Sequence, residues 1–452
     1  MRRAVVGMAL MALCATASAS CGGPSPECAS EDIASRIEAL GAGETLEIAS
    51  TCVVSGALTV PAGATVRGGT FVLGRADSVT LTASADGTPL TTLEGARITG
   101  GSERSSVRVV GPGSARIANT TFEIERGIAI GVDGARVEIE DVDIVGNIDP
   151  ALVLDVPDPA PADRFATYGI AAIHGASITV SRGHISRLAS AAIVCTDGTV
   201  ELTDVVLDEN RGAGLLAFTC EVRATRVEVT RTLALPGVGI GLFSGSTLDT
   251  GESLHLHDAS GYGLFASMST VSLTHPVVER MAQAGVWAEN GASLTITDGM
   301  FDDNAGAAVA AVGASLLDLR TTMVTGTRSA LLPTSEGAGA DRFADAIHVA
   351  QLPGQACVVS IADVVLIDNE RVGLVLDGGG DTVALSVVGA RIEATGSALG
   401  AVAQNVDDLP PIWDAGVVRM GSPVTLDPGA GVLVVSDGSG AVGVLMPPTI
   451  TF

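Results

Sequence analysis

An all-β solenoid with coils of about 22 residues is the fold class this sequence predicts, and three observations predict it. The first is a short phrase written repeatedly: Gly-Leu-Leu-Ala-Phe at 214–218, Gly-Leu-Phe at 241–243, Gly-Leu-Phe-Ala-Ser at 263–267 and Gly-Val-Trp-Ala-Glu at 285–289. The second is a partner set of alternating runs, Val200-Glu201-Leu202, Val222-Arg223-Ala224, Val271-Ser272-Leu273 and Leu294-Thr295-Ile296. Val200 to Val222 and Val271 to Leu294 are steps of about 22 and 23 residues, which is solenoid spacing. The third is composition: 56 Gly, 3% aromatic residues and a mean hydropathy of +0.44 suit many short strands joined by small-residue turns. A repeat that persists along 452 residues argues for one elongated body, here 31–452, and not for several globular domains.

The amino terminus reads as an export signal. Met1-Arg2-Arg3, the apolar run Ala4 to Leu13 and the small residues Ala15 to Ser20 form a charged start, a short hydrophobic stretch and a cleavable segment, assigned to 1–20. Ser18-Ala19-Ser20-Cys21-Gly22-Gly23 resembles the lipobox of bacterial lipoproteins, although Ser18 stands where that family usually has Leu. The resemblance implies a lipidated Cys21 followed by a tether over 21–30, and an outer-membrane or cell-surface lipoprotein. Ala17-Ser18-Ala19 also satisfies ordinary signal peptidase, which would leave a periplasmic or secreted chain. The expected contact with a membrane is through the lipid alone.

An oxidising compartment favours pairing of the remaining cysteines. Cys28 precedes a predicted helix and Cys52 lies in the first strand region, a natural staple for a cap. Cys195 and Cys220 stand about one repeat apart, within disulfide reach on neighbouring coils. Cys357 is left over and is expected to be buried as a small hydrophobe.

Glu31 to Leu40 reads as a short amphipathic helix, with Ile33, Ile37 and Leu40 on one face, capping the first coil. Thr45-Leu46-Glu47-Ile48 and Ala57-Leu58-Thr59-Val60 then open the strands. From here the chain resembles the right-handed parallel β-helix proteins of the pectate-lyase-like superfamily. The resemblance covers about residues 30 to 450, rests on the periodic pattern, and implies a single-stranded right-handed parallel β-helix.

Strand parity follows from charge. Glu289 should face water, so Val286 and Ala288 point inward and Trp287 outward, and the same parity turns Phe243 and Phe265 outward. Asn and Asp recur where coils turn, at Asn147, Asp208-Glu209-Asn210, Asp302-Asp303-Asn304 and Asp368-Asn369. They tolerate left-handed backbone and bond to neighbouring backbone. No cofactor is expected, calcium on these turn carboxylates being the alternative.

Three insertions break the spacing, near 149–167, 328–345 and 403–414. Ala162-Asp163-Arg164-Phe165-Ala166 in the first recurs as Ala340-Asp341-Arg342-Phe343-Ala344 in the second. Each is followed by an expected strand of the same sheet, at Gly169-Ile170, Ala346-Ile347 and Gly416-Val417. The insertions should therefore edge one groove floored by the aromatic column. Val432-Leu433-Val434-Val435 and Val442-Gly443-Val444-Leu445 read as closing strands.

Composition also excludes chemistry. The chain has no Lys, all 25 basic residues being Arg, which removes Schiff-base catalysis and a lysine base. A formal charge of −26 repels nucleic acid, anionic membranes and polyanionic polysaccharide. The polygalacturonase-like motif set is met only by fragments, Gly183-His184-Ile185, Asp302-Asp303 and Arg391-Ile392-Glu393. The first element is missing, the order is wrong, and Glu393 replaces a Lys.

Phe243, Phe265 and Trp287, with Glu289, Arg164 and Arg342 supplying hydrogen bonds, are the candidate polysaccharide-binding residues, because apolar ring faces suit sugar rings. The bland alternative is that the rings stack on one another or lie beneath a loop. His255 and His257 share one outward face, and Glu279 should fall beside His257 one coil later, a candidate set for a transition metal. The expected function is that of a non-catalytic envelope protein binding polysaccharide or a cell-surface glycan. The rivals are a polysaccharide lyase or glycoside hydrolase, and a structural or adhesive rod.

Overall fold

Residues 262–302 show how this sequence builds a coil. Three strands, Tyr262–Ser267, Thr270–Thr274 and Pro276–Glu279, are followed by the next three, Ala284–Glu289, Ser293–Thr297 and Met300–Asp302. Each pairs in parallel with its successor: Phe265 with Trp287, Val271 with Leu294, Val278 with Phe301. The structure is a computed structural model. It describes residues 30–148, 167–233, 237–333, 340–352 and 354–378, and beyond these strand segments between 386 and 434. The solenoid has about 13 turns and about 2% helix.

One left-handed residue follows each strand at the corner. In this coil Met268, His275 and Arg280 have φ of 52°, 50° and 56°, the left-handed region. Each costs about 1–2 kcal/mol for a side-chain-bearing residue. The cost is offset because each corner N–H donates to the carbonyl of the next coil: Met268 to Glu289, His275 to Thr297, Arg280 to Asp302. The glycines in second place on the first-sheet strands have a different cause. A Cβ on Gly239, Gly263 or Gly285 would stand 2.4, 2.6 or 2.4 Å from the carbonyl oxygen of Gly263, Gly285 or Ala308 on the following coil. Close stacking there requires an absent side chain.

The corner residues alternate in sign. After the third strand the left-handed positions run Arg187, Glu209, Arg231, Asp258, Arg280, Asp303. Arg187 pairs with Glu209 at 2.9 Å, Arg231 with the same Glu209 at 3.2 Å, and Arg280 with Asp258 at 2.8 Å. Asp141, Arg182, Asp204 and Arg226 repeat the alternation at another corner. The expected Asx turns divide their labour. Glu209, Asp303 and Asp368 take the left-handed conformation. The following Asn210, Asn304 and Asn369 are buried and accept from the backbone N–H of Leu188, Met281 and Thr327.

The interior is one column of mostly aliphatic residues, among them Leu264, Ala266, Val286, Ala288 and Leu294, with Phe301 also inside it. The helix Ser30–Glu38 packs Ile33 and Ile37 onto the first coil, as expected of a cap. Cys195 and Cys220 form a disulfide with a Cα–Cα distance of 6.2 Å. Cys52 is disulfide-bonded and buried, while Cys28, like Cys21, lies outside the described residues. Cys357 is buried, and burial pushes its thiol pKa up to about 12.

The carboxyl-terminal expectation needs one correction. Val417 does not join the first sheet. Trp413–Asp414, Val417–Met420 and Ser422–Pro423 make a separate antiparallel sheet, and Leu399–Gln404 pairs instead with Gly431–Val434. A locally paired meander replaces the coil that the spacing suggested. Among the described residues, no helix is long and apolar enough to cross a membrane.

Candidate functional site

The outer face of the first sheet carries the aromatic column, and its parity is as expected. Val286 and Ala288 lie in the interior core, whereas Phe265 and Trp287 belong to a second apolar cluster on the outer face. The stated reason for that parity is corrected: Glu289 does not face water. It is 5% exposed, and its Oε2 accepts from Trp287 Nε1 at 2.9 Å and its Oε1 from Asn290 Nδ2 at 2.8 Å. Burial raises its pKa to about 7, against the opposing hydrogen bonds from Trp287 and Ser267.

Over Phe265 and Trp287 the groove is filled, as in the alternative that places the rings beneath a loop. Trp287 is 0% exposed and Phe265 2%. Leu332 and Phe343 of the second insertion lie in the same cluster. Ala330–Pro333 pairs antiparallel with the start of Ala340–Ala350, opposing Ala330 to Phe343 and Leu331 to Arg342. Alternation along this hairpin sends Phe343 and Leu332 down onto the sheet and leaves Leu331, 59% exposed, and Arg342 outside. The rings also engage one another. Phe218 and Phe243 stack at 5.1 Å and 17°, Phe243 and Phe265 lie 5.7 Å apart, and Tyr262 meets Trp287 edge-on at 5.7 Å. Phe218 and Phe243, nearer the amino terminus, are half-buried. Arg164 lies outside the described residues.

Beneath the same hairpin is a polar cluster that sequence reasoning missed. Asp345 and His348 are both fully buried, with His348 Nδ1 2.8 Å from Asp345 Oδ2. Arg371 donates through Nε and Nη2 to the two oxygens of Asp345, at 2.7 and 2.5 Å, and lies 4.6 Å over the Phe343 ring. Burial alone would raise the Asp345 pKa, but the bonds from His348 and Arg371 outweigh it and hold the carboxyl below its usual range. The group is a satisfied buried network that ties the hairpin's base to the next coil. The Asp-Ala-Ile-His run at 345–348 was the available signal, and only the strand register shows its two polar members sharing a face.

The third candidate lies on the outer face of the third sheet. His255 and His257 stand side by side with ring centroids 4.3 Å apart. Glu279 reaches His255 Nε2 at 3.0 Å, but its other oxygen accepts from Arg280 Nη1 at 2.7 Å. The carboxylate that converges with both imidazoles is Glu228, from the preceding coil, 3.1 Å from His257 Nε2. Elsewhere, a shallow pocket of about 390 Å³ on the amino-terminal coils is lined by Asp86, Pro112, Ser114, Arg136 and Ser177.

Parallel register holds coil after coil on the first, second and third sheets, with short corners between them. The chain is a right-handed parallel β-helix protein. No family model matches this β-helix, and no curated protein matches it. Among solved structures it is similar to the Dettilon tailspike protein (11% identity, TM-score 0.41), over 83% of this chain and 62% of that one. It is similar to the periplasmic alginate epimerase AlgG (9%, TM-score 0.35), over 81% and 76%. The surface adhesin PfbA of Streptococcus pneumoniae (10%, TM-score 0.37) is covered over 95% of its chain, by 90% of this one. The β-helix thus spans less than two thirds of the tailspike chain. These likenesses concern the fold alone.

Proposed function

We propose that this β-helix is an exported, non-catalytic rod of the cell envelope, anchored through a lipidated Cys21, whose first-sheet outer face is internal structure and not a ligand groove. One observation carries the reading. The aromatic column where a sugar chain would lie is a second hydrophobic core, with the Trp287 indole N–H already satisfied by Glu289, Tyr262 edge-on to Trp287, and Leu332 and Phe343 in the same cluster. A polysaccharide partner remains the second reading, because Phe218 and Phe243 are only half-buried. An acidic rod would then select neutral or cationic chains.

One panel of neutral and charged polysaccharides separates these. Assayed for bound glycan and for released unsaturated or reducing ends, the rod should release nothing. Any binding should survive Phe243→Ala. Sugar release, or binding lost in Phe243→Ala with the fold intact by circular dichroism, would overturn the rod in favour of an enzyme or a lectin. Incorporation of a fatty-acid analogue, lost in Cys21→Ser, tests the anchor.

A further inference from the structure

We propose that Glu228, His255 and His257 form a binding site for a first-row divalent metal ion of the zinc class on the outer face of the third sheet. His255 and His257 alternate along one strand, Leu254–His257, and so project to the same side. Strand pairing sets Glu228 directly beside His255 and Thr230 beside His257. One donor atom from each of Glu228, His255 and His257 lies within 4.8 Å of the others, and all three residues are half-buried. Metal–nitrogen bonds of about 2.0–2.1 Å would bring the ligand atoms somewhat closer than this.

The surroundings resemble a metal site more than a chance pair of histidines. His257 Nδ1 is 2.7 Å from Asp258 Oδ2, and His255 Nε2 is 3.0 Å from Glu279 Oε1. One ring nitrogen of each imidazole thus faces an outer carboxylate, as in metal-ligating histidines, while His257 turns its other nitrogen, Nε2, to Glu228. Both carboxylates are held by one residue, Arg280, at 2.8 and 3.0 Å to Asp258 and 2.7 Å to Glu279. Glu228, Asp258 and Glu279 against Arg280 and the neighbouring Arg231 leave one net negative charge in the local field, favourable to a cation.

Donor chemistry names the class. Two imidazoles and one carboxylate suit zinc, nickel, cobalt or copper, whereas calcium and magnesium prefer all-oxygen sets. Three protein ligands leave a fourth position open to solvent. The proposal stands whether or not the rod binds glycan, because its site lies on a different sheet.

The test is calorimetric titration of the tag-free mature chain, stripped with a chelator, with zinc chloride and separately with calcium chloride. One zinc per chain is expected, and no calcium at this site. Affinity should fall about 10-fold or more in Glu228→Gln and in Asp258→Asn, and zinc binding should vanish in His255→Ala/His257→Ala. Circular dichroism and melting temperature check that these outward-facing variants remain folded. Absence of zinc binding in the wild-type chain overturns the proposal, as does zinc binding undiminished in the double variant.

Discussion

Glu289 gives the rod a pH dependence that one substitution should remove. In the unfolded chain its carboxyl loses a proton near the ordinary 4.5, and in the folded chain near 7, because burial disfavours the charge. Between those values the folded state holds the extra proton, so this residue's contribution to stability falls as pH rises through that window. At about 1.4 kcal/mol per pH unit the full span amounts to about 3 kcal/mol. Glu289→Gln keeps an oxygen to accept from Trp287 Nε1 and carries no charge. Denaturant unfolding, followed by the fluorescence of buried Trp287, would be measured for both chains from about pH 4.5 to about pH 8. The other carboxylates cancel in the difference. The variant should gain on wild type by up to about 3 kcal/mol as pH rises, nearly all of it below about pH 8. A difference that stays constant across pH would refute the assignment of a buried, partly neutral carboxyl.

Two further outcomes follow from the same packing. Trp287→Ala should cost about 3–5 kcal/mol of stability, read by denaturant unfolding, because it empties a fully buried site in the outer cluster. Cys195→Ser/Cys220→Ser should cost about 3 kcal/mol, read by the same unfolding, since the disulfide closes a loop with a sequence separation of 25 residues. Reductant should shift the melting temperature less in the variant than in wild type, the Cys52 disulfide being a bond that the variant retains.

Much of the fold was legible because a solenoid writes its period along the chain. The pairing of Val200 with Val222 and of Val271 with Leu294 is what the spacing predicted. Parity along Gly285–Glu289 was also readable, since alternation assigns each residue to a face. It does not say what lies on that face. The hairpin over Trp287 depends on the antiparallel pairing of Leu332 with Asp341, which no coil periodicity encodes. Glu228 escaped for a related reason. It pairs with His255 across 27 positions, because residues after Thr230 lengthen that coil, whereas Glu279 follows His257 by the regular 22. Val417 was misplaced by assuming the period persisted where the chain instead folds back on itself.

The alternating corner ladder places a constraint on how such a chain can grow or shrink. Its electrical repeat is two coils long, although its geometric repeat is one. Excising the single coil that carries Glu209 would set Arg187 against Arg231, like beside like, at a spacing of about 4.8 Å. Excising two neighbouring coils would set Arg187 against Asp258 and preserve the sequence of signs. Length changes by duplication or deletion are therefore compatible with this corner in even steps, a rule that the hydrophobic interior, apolar in every coil, does not impose.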